Sequence, residues 1–264
     1  MLEVTFAQLQ IWVAGFFWPF VRLTSFMLTS PILGHSAIPN PLKLAIGGVL
    51  AIVIGPILPP MPDVPIYSWA GFGIIVEQIL IGASIGLIMQ VTFAVVQAAG
   101  EFIGLQMGLA FATFFSPDSG ANTMILSRIL HVFAMMMFLA LNGHLMMLEL
   151  LAFSFQELPI GVVGLNFGAF EMLARFGSVV FLSGILLALP VFGALLIINL
   201  TLGILNRSAP QLTVFSIGFP MSLTMGLFLL MTLTTNLGSY LQRLFANSLG
   251  FVSEFIQALA PLPQ

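Results

Sequence analysis

Charged side chains fall singly within long apolar runs of this sequence: Arg22, Glu77, Glu101, Arg128, Glu149, Glu171 and Arg175. Each costs about 2.5–3.5 kcal/mol at the centre of a membrane helix, which makes such residues candidates for proton or ion handling. A coupled transporter would gather them near one depth, whereas these are spread over many segments. Pairing and polar packing inside an assembly is the stronger reading, with Glu77, Glu101, Gln106 and Arg128 as its buried polar residues. His35, His131 and His144 are isolated, without a carboxylate or second histidine at i, i+4, which argues against a metal site. His131 follows Arg128 by three residues and shares its helix face. The chain has no cysteine, which excludes disulfides and thiol nucleophiles. No serine has the glycine-flanked setting of a nucleophile elbow, and no glycine loop suits a phosphate. These residues indicate no cofactor and no enzyme.

The glycines are better organised than the charges. Gly100, Gly104 and Gly108, continued by Ala112, recur every four residues, and Gly82 with Gly86 repeats the spacing. Each glycine costs about 0.5–1 kcal/mol against alanine in a helix. Close packing of the small-xxx-small type recovers that cost. It does not account for Glu101, Gln106 or the Phe-Phe-Ser-Pro-Asp turn at 114–118. The other reading is a segment that bends, with glycine hinges, polar residues along an aqueous path, and Phe111, Phe114 and Phe115 closing it. The residues alone leave both open. Met135, Met136 and Met137 point in three directions on a helix, as core gap-fillers do.

The elements that position these residues follow from composition. Of 264 residues, 59% are hydrophobic and 6% charged, against about 25% charged in an ordinary soluble domain. With six basic and nine acidic residues and no basic cluster, the chain has no electrostatic footprint for nucleic acid. The N-terminus carries Glu3 in place of a basic region and lacks a cleavage pattern, so a retained apolar segment is expected to direct insertion. Six apolar runs stand at about 5–30, 42–58, 69–115, 123–156, 169–204 and 221–237. About 20 residues suffice to cross a bilayer. The third run has 47 residues and would be roughly 70 Å long as one helix. It either turns back near Gly100 or lies partly in protein surroundings. Beyond it, apolar residues at 241, 244, 245, 249, 252, 255, 256 and 259 form the stripe of an amphipathic helix. Lys43, Arg128 and Arg207 weakly favour cytoplasmic first, third and fifth connections; Arg175 and Arg243 oppose that.

Six blocks carry a resemblance: WPFVRL (18–23), SPILGHSAIPNPLKL (30–44), GEFIGLQMGLAFATF (100–114), LNGHL (141–145), LPIG (158–161) and LNRSAPQLTVFSIGFP (205–220). Together they resemble the FliR family of flagellar biosynthetic proteins over nearly the whole chain. The resemblance implies an all-α subunit of a type III protein export gate, one copy joining FliP and FliQ in a helical, ring-like channel. FlhB and FlhA are implied as further partners, unfolded flagellar subunits as cargo, and the inner membrane within the flagellar basal body as location. Residues 1–167 are implied to be FliP-like, and 168–264 a FliQ-like hairpin with an amphipathic C-terminal helix. The turn with Asn206, Arg207, Pro210 and Gln211 is implied to face the cytoplasm. A plug closing the channel maps onto about 108–124, with Gly108, Leu109, Phe111, Phe114, Phe115, Ser116, Pro117 and Asp118. Relatives read Asp-Pro where this chain reads Ser116-Pro117-Asp118, so a role tied to that aspartate's position or to the turn's geometry is not carried over from the resemblance. Family gate subunits sit largely above the membrane plane inside the basal body, which would accommodate the 47-residue run. An injectisome homologue is the near alternative and a small-solute secondary transporter the distant one.

Overall fold

The computed structural model describes residues 6–59, 61, 62, 64–109, 125–161, 164–208 and 217–261, with backbone alone for 6–11. All regular elements among them are helical: α1 (Phe6–Thr29), α2 (Asn40–Ile54, extended by a 3-10 turn, Gly55–Ile57), α3 (Trp69–Gln106), α4 (Ile125–Ala140), α5 (Gly143–Glu157), α6 (Gly168–Phe176), α7 (Val179–Ser208) and α8 (Phe219–Leu259).

Prolines set several boundaries. α1 ends just before Pro31, and α2 begins with Pro39 as N-cap and Pro41 in its first turn, where a missing N–H costs nothing. In the first turn of α2, Lys43 is buried and donates from Nζ to the Gly34 carbonyl of the preceding loop at 2.8 Å. The fourth apolar run is divided at Leu141–Asn142, where Asn142 adopts φ 56°. α3 runs through Gly100 without a break for 38 residues, about 57 Å. The expected alternative of a return near Gly100 is therefore wrong. α3 is instead the most enclosed of the apolar helices, with 61% of its apolar window buried.

Among the described residues, four helices are long and apolar enough to cross a membrane, or five spans if α4 and α5 count as one. The expected count of about six is not confirmed by these helices. The buried face of α1 carries Arg22, Thr24 and Ser25. The sixth run and the amphipathic tail are also one element, the 41-residue α8. Every residue of the expected stripe, from Leu241 to Leu259, is buried.

The chain forms two compact units. The first comprises Met1–Val91, Asn142–Gly177 and Ala246–Gln264. Gly82 and Gly86 of α3 lie directly on α1 there: a side-chain carbon at Gly82 would strike Ser25 Oγ and the Arg22 carbonyl, and one at Gly86 the Thr29 side chain. Asn166 ties the loop before α6 to the end of α8, through its N–H to the Leu259 carbonyl at 3.1 Å and its amide to the Ala258 carbonyl at 3.1 Å.

The second unit comprises Thr92–Leu141 and Ser178–Phe245. Phe93, Phe138 and Phe245 meet with ring centroids 5.1–5.5 Å apart, and His131 stands edge-on to Phe93. Gly100 abuts the Ser127 backbone of α4, where a Cβ would lie 2.5 Å from Ser127 Cα. α7 and α8 form a hairpin with a cleft of about 340 Å³ lined by Leu187, Pro190, Val191, Leu233, Tyr240 and Arg243.

Replacing Gly82 by Leu should destabilise the chain by roughly 1–3 kcal/mol, since the added atoms meet backbone that cannot give way. Gly15→Ala, which meets nothing within 4 Å, should be neutral or stabilising by up to about 1 kcal/mol. Thermal unfolding of the two variants in detergent checks this; equal tolerance would refute the close α1–α3 contact.

Candidate functional site

Two polar sites stand out against the apolar interior, one in each unit. In the second, α3 ends in a Schellman turn. Gly108 takes φ 78°, its N–H donates to the Leu105 carbonyl at 3.1 Å, and the Leu109 N–H reaches the Gly104 carbonyl at 3.0 Å. This is the left-handed stop that glycine makes at least cost. The Met107 N–H continues the helical pattern to the Ile103 carbonyl at 3.0 Å. Asn199 of α7 supplies the remaining partner, its Nδ2 donating to the Gln106 carbonyl at 2.9 Å and to Gln106 Oε1 at 3.2 Å. Asn199 Oδ1 in turn accepts the Ser222 hydroxyl of α8 at 2.5 Å. Met107 is buried, and a Cβ on Gly226 of α8 would stand 2.5 Å from Met107 Cγ.

The first unit contains a fully buried arginine. Arg22 Nε donates to Gln78 Oε1 at 2.7 Å, one terminal nitrogen to the Ser154 carbonyl at 2.8 Å and hydroxyl at 3.2 Å, and the other to the Leu158 carbonyl at 2.8 Å. The guanidinium carbon lies 4.1 Å from the centre of the Phe155 ring. Both carbonyls belong to the C-terminal end of α5, the negative end of its dipole; that of Ser154 also accepts the Leu158 N–H at 3.0 Å. Arg22 therefore caps one helix while joining α1, α3 and α5. Glu77, beside Gln78 in sequence, is half-buried and accepts the Gly164 N–H.

The sequence-derived residues distribute as follows. Gly108 and Leu109 form the helix stop; Phe111, Ala112, Phe114, Phe115, Ser116, Pro117 and Asp118 lie outside the described residues, as do Pro210 and Gln211. Gly82, Gly86, Gly100 and Gly104 are buried within continuous helix, and at the first three a neighbouring element occupies the space of a side chain. Asn206 and Arg207 occupy the last turn of α7, half-buried and exposed respectively. Gln106 is half-buried. Glu101 and Arg128, expected as polar residues buried inside an assembly, are both exposed on this single chain. Sequence reasoning missed Gln78, Ser154, Asn199 and Ser222. Asn199 carried a signal, being the sole amide between Val179 and Leu205.

The sequence profile of the bacterial export proteins, family 1, matches residues 13–248. The flagellar biosynthetic protein FliR of Escherichia coli (strain K12) is 43% identical over 259 residues, covering 98% of this chain and 99% of its own length. The protein of the same name from Pectobacterium carotovorum is 44% identical over 249 residues, 94% and 95% of the two chains. That of Bacillus subtilis (strain 168) is 29% identical over 217 residues, 80% and 82% of the two chains.

Arg22→Lys keeps the charge but cannot serve three acceptors spread around a planar fork. Gln78 Oε1 or the Leu158 carbonyl then stays unpaired, at a cost of about 1–3 kcal/mol, whereas the Ser154 carbonyl keeps the Leu158 N–H. Denaturation of the purified chain should show that loss, and wild-type stability in Arg22→Lys would mean the fork geometry is dispensable.

Proposed function

We propose, since the chain belongs to the bacterial export proteins of family 1 and is a FliR-type component of the flagellar export apparatus, that it is one subunit of a protein-conducting channel built with FliP and FliQ. In this reading the segment from Gly108 to Met124 is a plug that closes the channel between exports. The observation that supports it most directly is the stop at Gly108. Its left-handed turn and the Asn199 bond to Gln106 end α3 at a fixed point, so the segment leaves from a defined foot.

An apolar constriction resists wetting and needs no charged filter. Phe111, Phe114 and Phe115 suit that task. An unfolded flagellar subunit displaces the plug as it passes, and the energy comes from partners, FlhA and FlhB among them. Residues 1–167 act as a FliP-like part and 168–264 as a FliQ-like part whose turn, with Asn206, Arg207, Pro210 and Gln211, faces the cytoplasm. Large exposed apolar residues such as Phe181, Ile197 and Leu200 on α7 suit burial against other subunits or the bacterial inner membrane. The role is transport rather than catalysis.

Deletion of residues 110–120, with membrane ion leak and complex assembly measured together, tests the reading. A plug gives normal assembly and a leak raised by roughly an order of magnitude. Lost assembly would assign the segment to packing, and unchanged leak with intact assembly would end the plug assignment.

A further inference from the structure

The last four carbonyls of a helix have no partner within it. At the end of α3 the chain's own turn takes three of them, at Ile103, Gly104 and Leu105. The fourth, on Gln106, is taken from outside, by Asn199. An amide in an otherwise apolar helix needs a partner, and Asn199 finds its partners on two neighbouring helices: both donor contacts go to Gln106 of α3 and its oxygen accepts from Ser222 of α8. One side chain therefore ties the end of α3 to both arms of the α7–α8 hairpin. Gln106 and Asn199 are each half-buried, so water can replace these bonds when they part, and the groups are not stranded in an apolar interior. The neighbouring contact, Met107 on Gly226, is a flexible thioether against a residue with no side chain, which separates without unlocking interdigitated groups.

We propose that the Gln106–Asn199–Ser222 relay is a latch, with Asn199 as its positioning residue: it holds the end of α3 against the hairpin at rest and parts when a substrate chain passes. The inference rests on the channel reading above and adds which contacts must break. When the relay parts, water takes over the Gln106 carbonyl, and the end of α3, still closed by its own turn, is free of the hairpin.

The absence of native cysteine permits a specific lock. In Met107→Cys/Gly226→Cys the two Cβ atoms would lie at most about 4 Å apart, within disulfide range. In the assembled complex, oxidation should cut export about tenfold or more, with assembly unchanged, and reductant should restore it. Undiminished export through fully cross-linked complexes overturns the latch. Asn199→Asp, which removes the donor facing Gln106, should raise resting ion leak about fivefold or more in assembled complexes; resting leak equal to wild type also overturns it. The latch can fail while the plug reading stands, if the 110–120 deletion leaks but the cross-linked complex exports freely. A deletion that neither leaks nor impairs assembly removes the plug reading itself.

Discussion

A guanidinium with no exposed surface must find its acceptors inside the fold, and the first unit is arranged around that need. Arg22 collects a side-chain amide from α3 and two carbonyls from the end of α5, with the face of Phe155 beneath it. No carboxylate bonds directly to it among the described residues; the negative end of α5 faces it, and Glu77 stands near enough to interact with it through space. Because the fork is planar, α1, α3 and α5 can satisfy it only in one mutual arrangement. The glycine contacts of α3 then follow, since Gly82 and Gly86 let the two backbones come close enough for Arg22 to reach Gln78.

The second unit meets the same requirement with neutral groups. There the carbonyl left over at the end of α3 is satisfied by an asparagine from α7, itself held by a serine from α8. In both units a helix terminus, which backbone bonding cannot complete, recruits a polar side chain from a distant helix. In so apolar a chain these few polar contacts carry directional information that dispersion and hydrophobic burial do not.

Local periodicity was readable and long-range pairing was not. The stripe from Leu241 to Leu259 follows from helical spacing, and each member is buried. The close approach at Gly82, Gly86 and Gly100 follows from the four-residue spacing. The boundary between the sixth run and the tail was misleading, because Asn236, Gly238 and Ser239 lower hydropathy without breaking the helix. The return at Gly100 failed because a glycine costs too little to stop a helix whose neighbours continue it; the chain stops eight positions later, where Gly108 turns left-handed. Arg22 was visible as a charge, but its partners are backbone carbonyls and an amide at separations of 56 to 136 residues, which no motif announces. The identity of the family was readable throughout, since long sequence blocks preserve it independently of any contact.

The cleft between α7 and α8 gives the hairpin a mechanical property. Pro190 borders it and, lacking an N–H, leaves the ladder of α7 one bond short at that level. Atoms facing a void lose dispersion contacts on that side, so the two arms can slide or flex there for less energy than in a filled interior. Asn199 lies further along the same helix, where such play would be transmitted as displacement. The hairpin thus has clearance built in beside its fastener, as a working joint requires and a permanent weld does not.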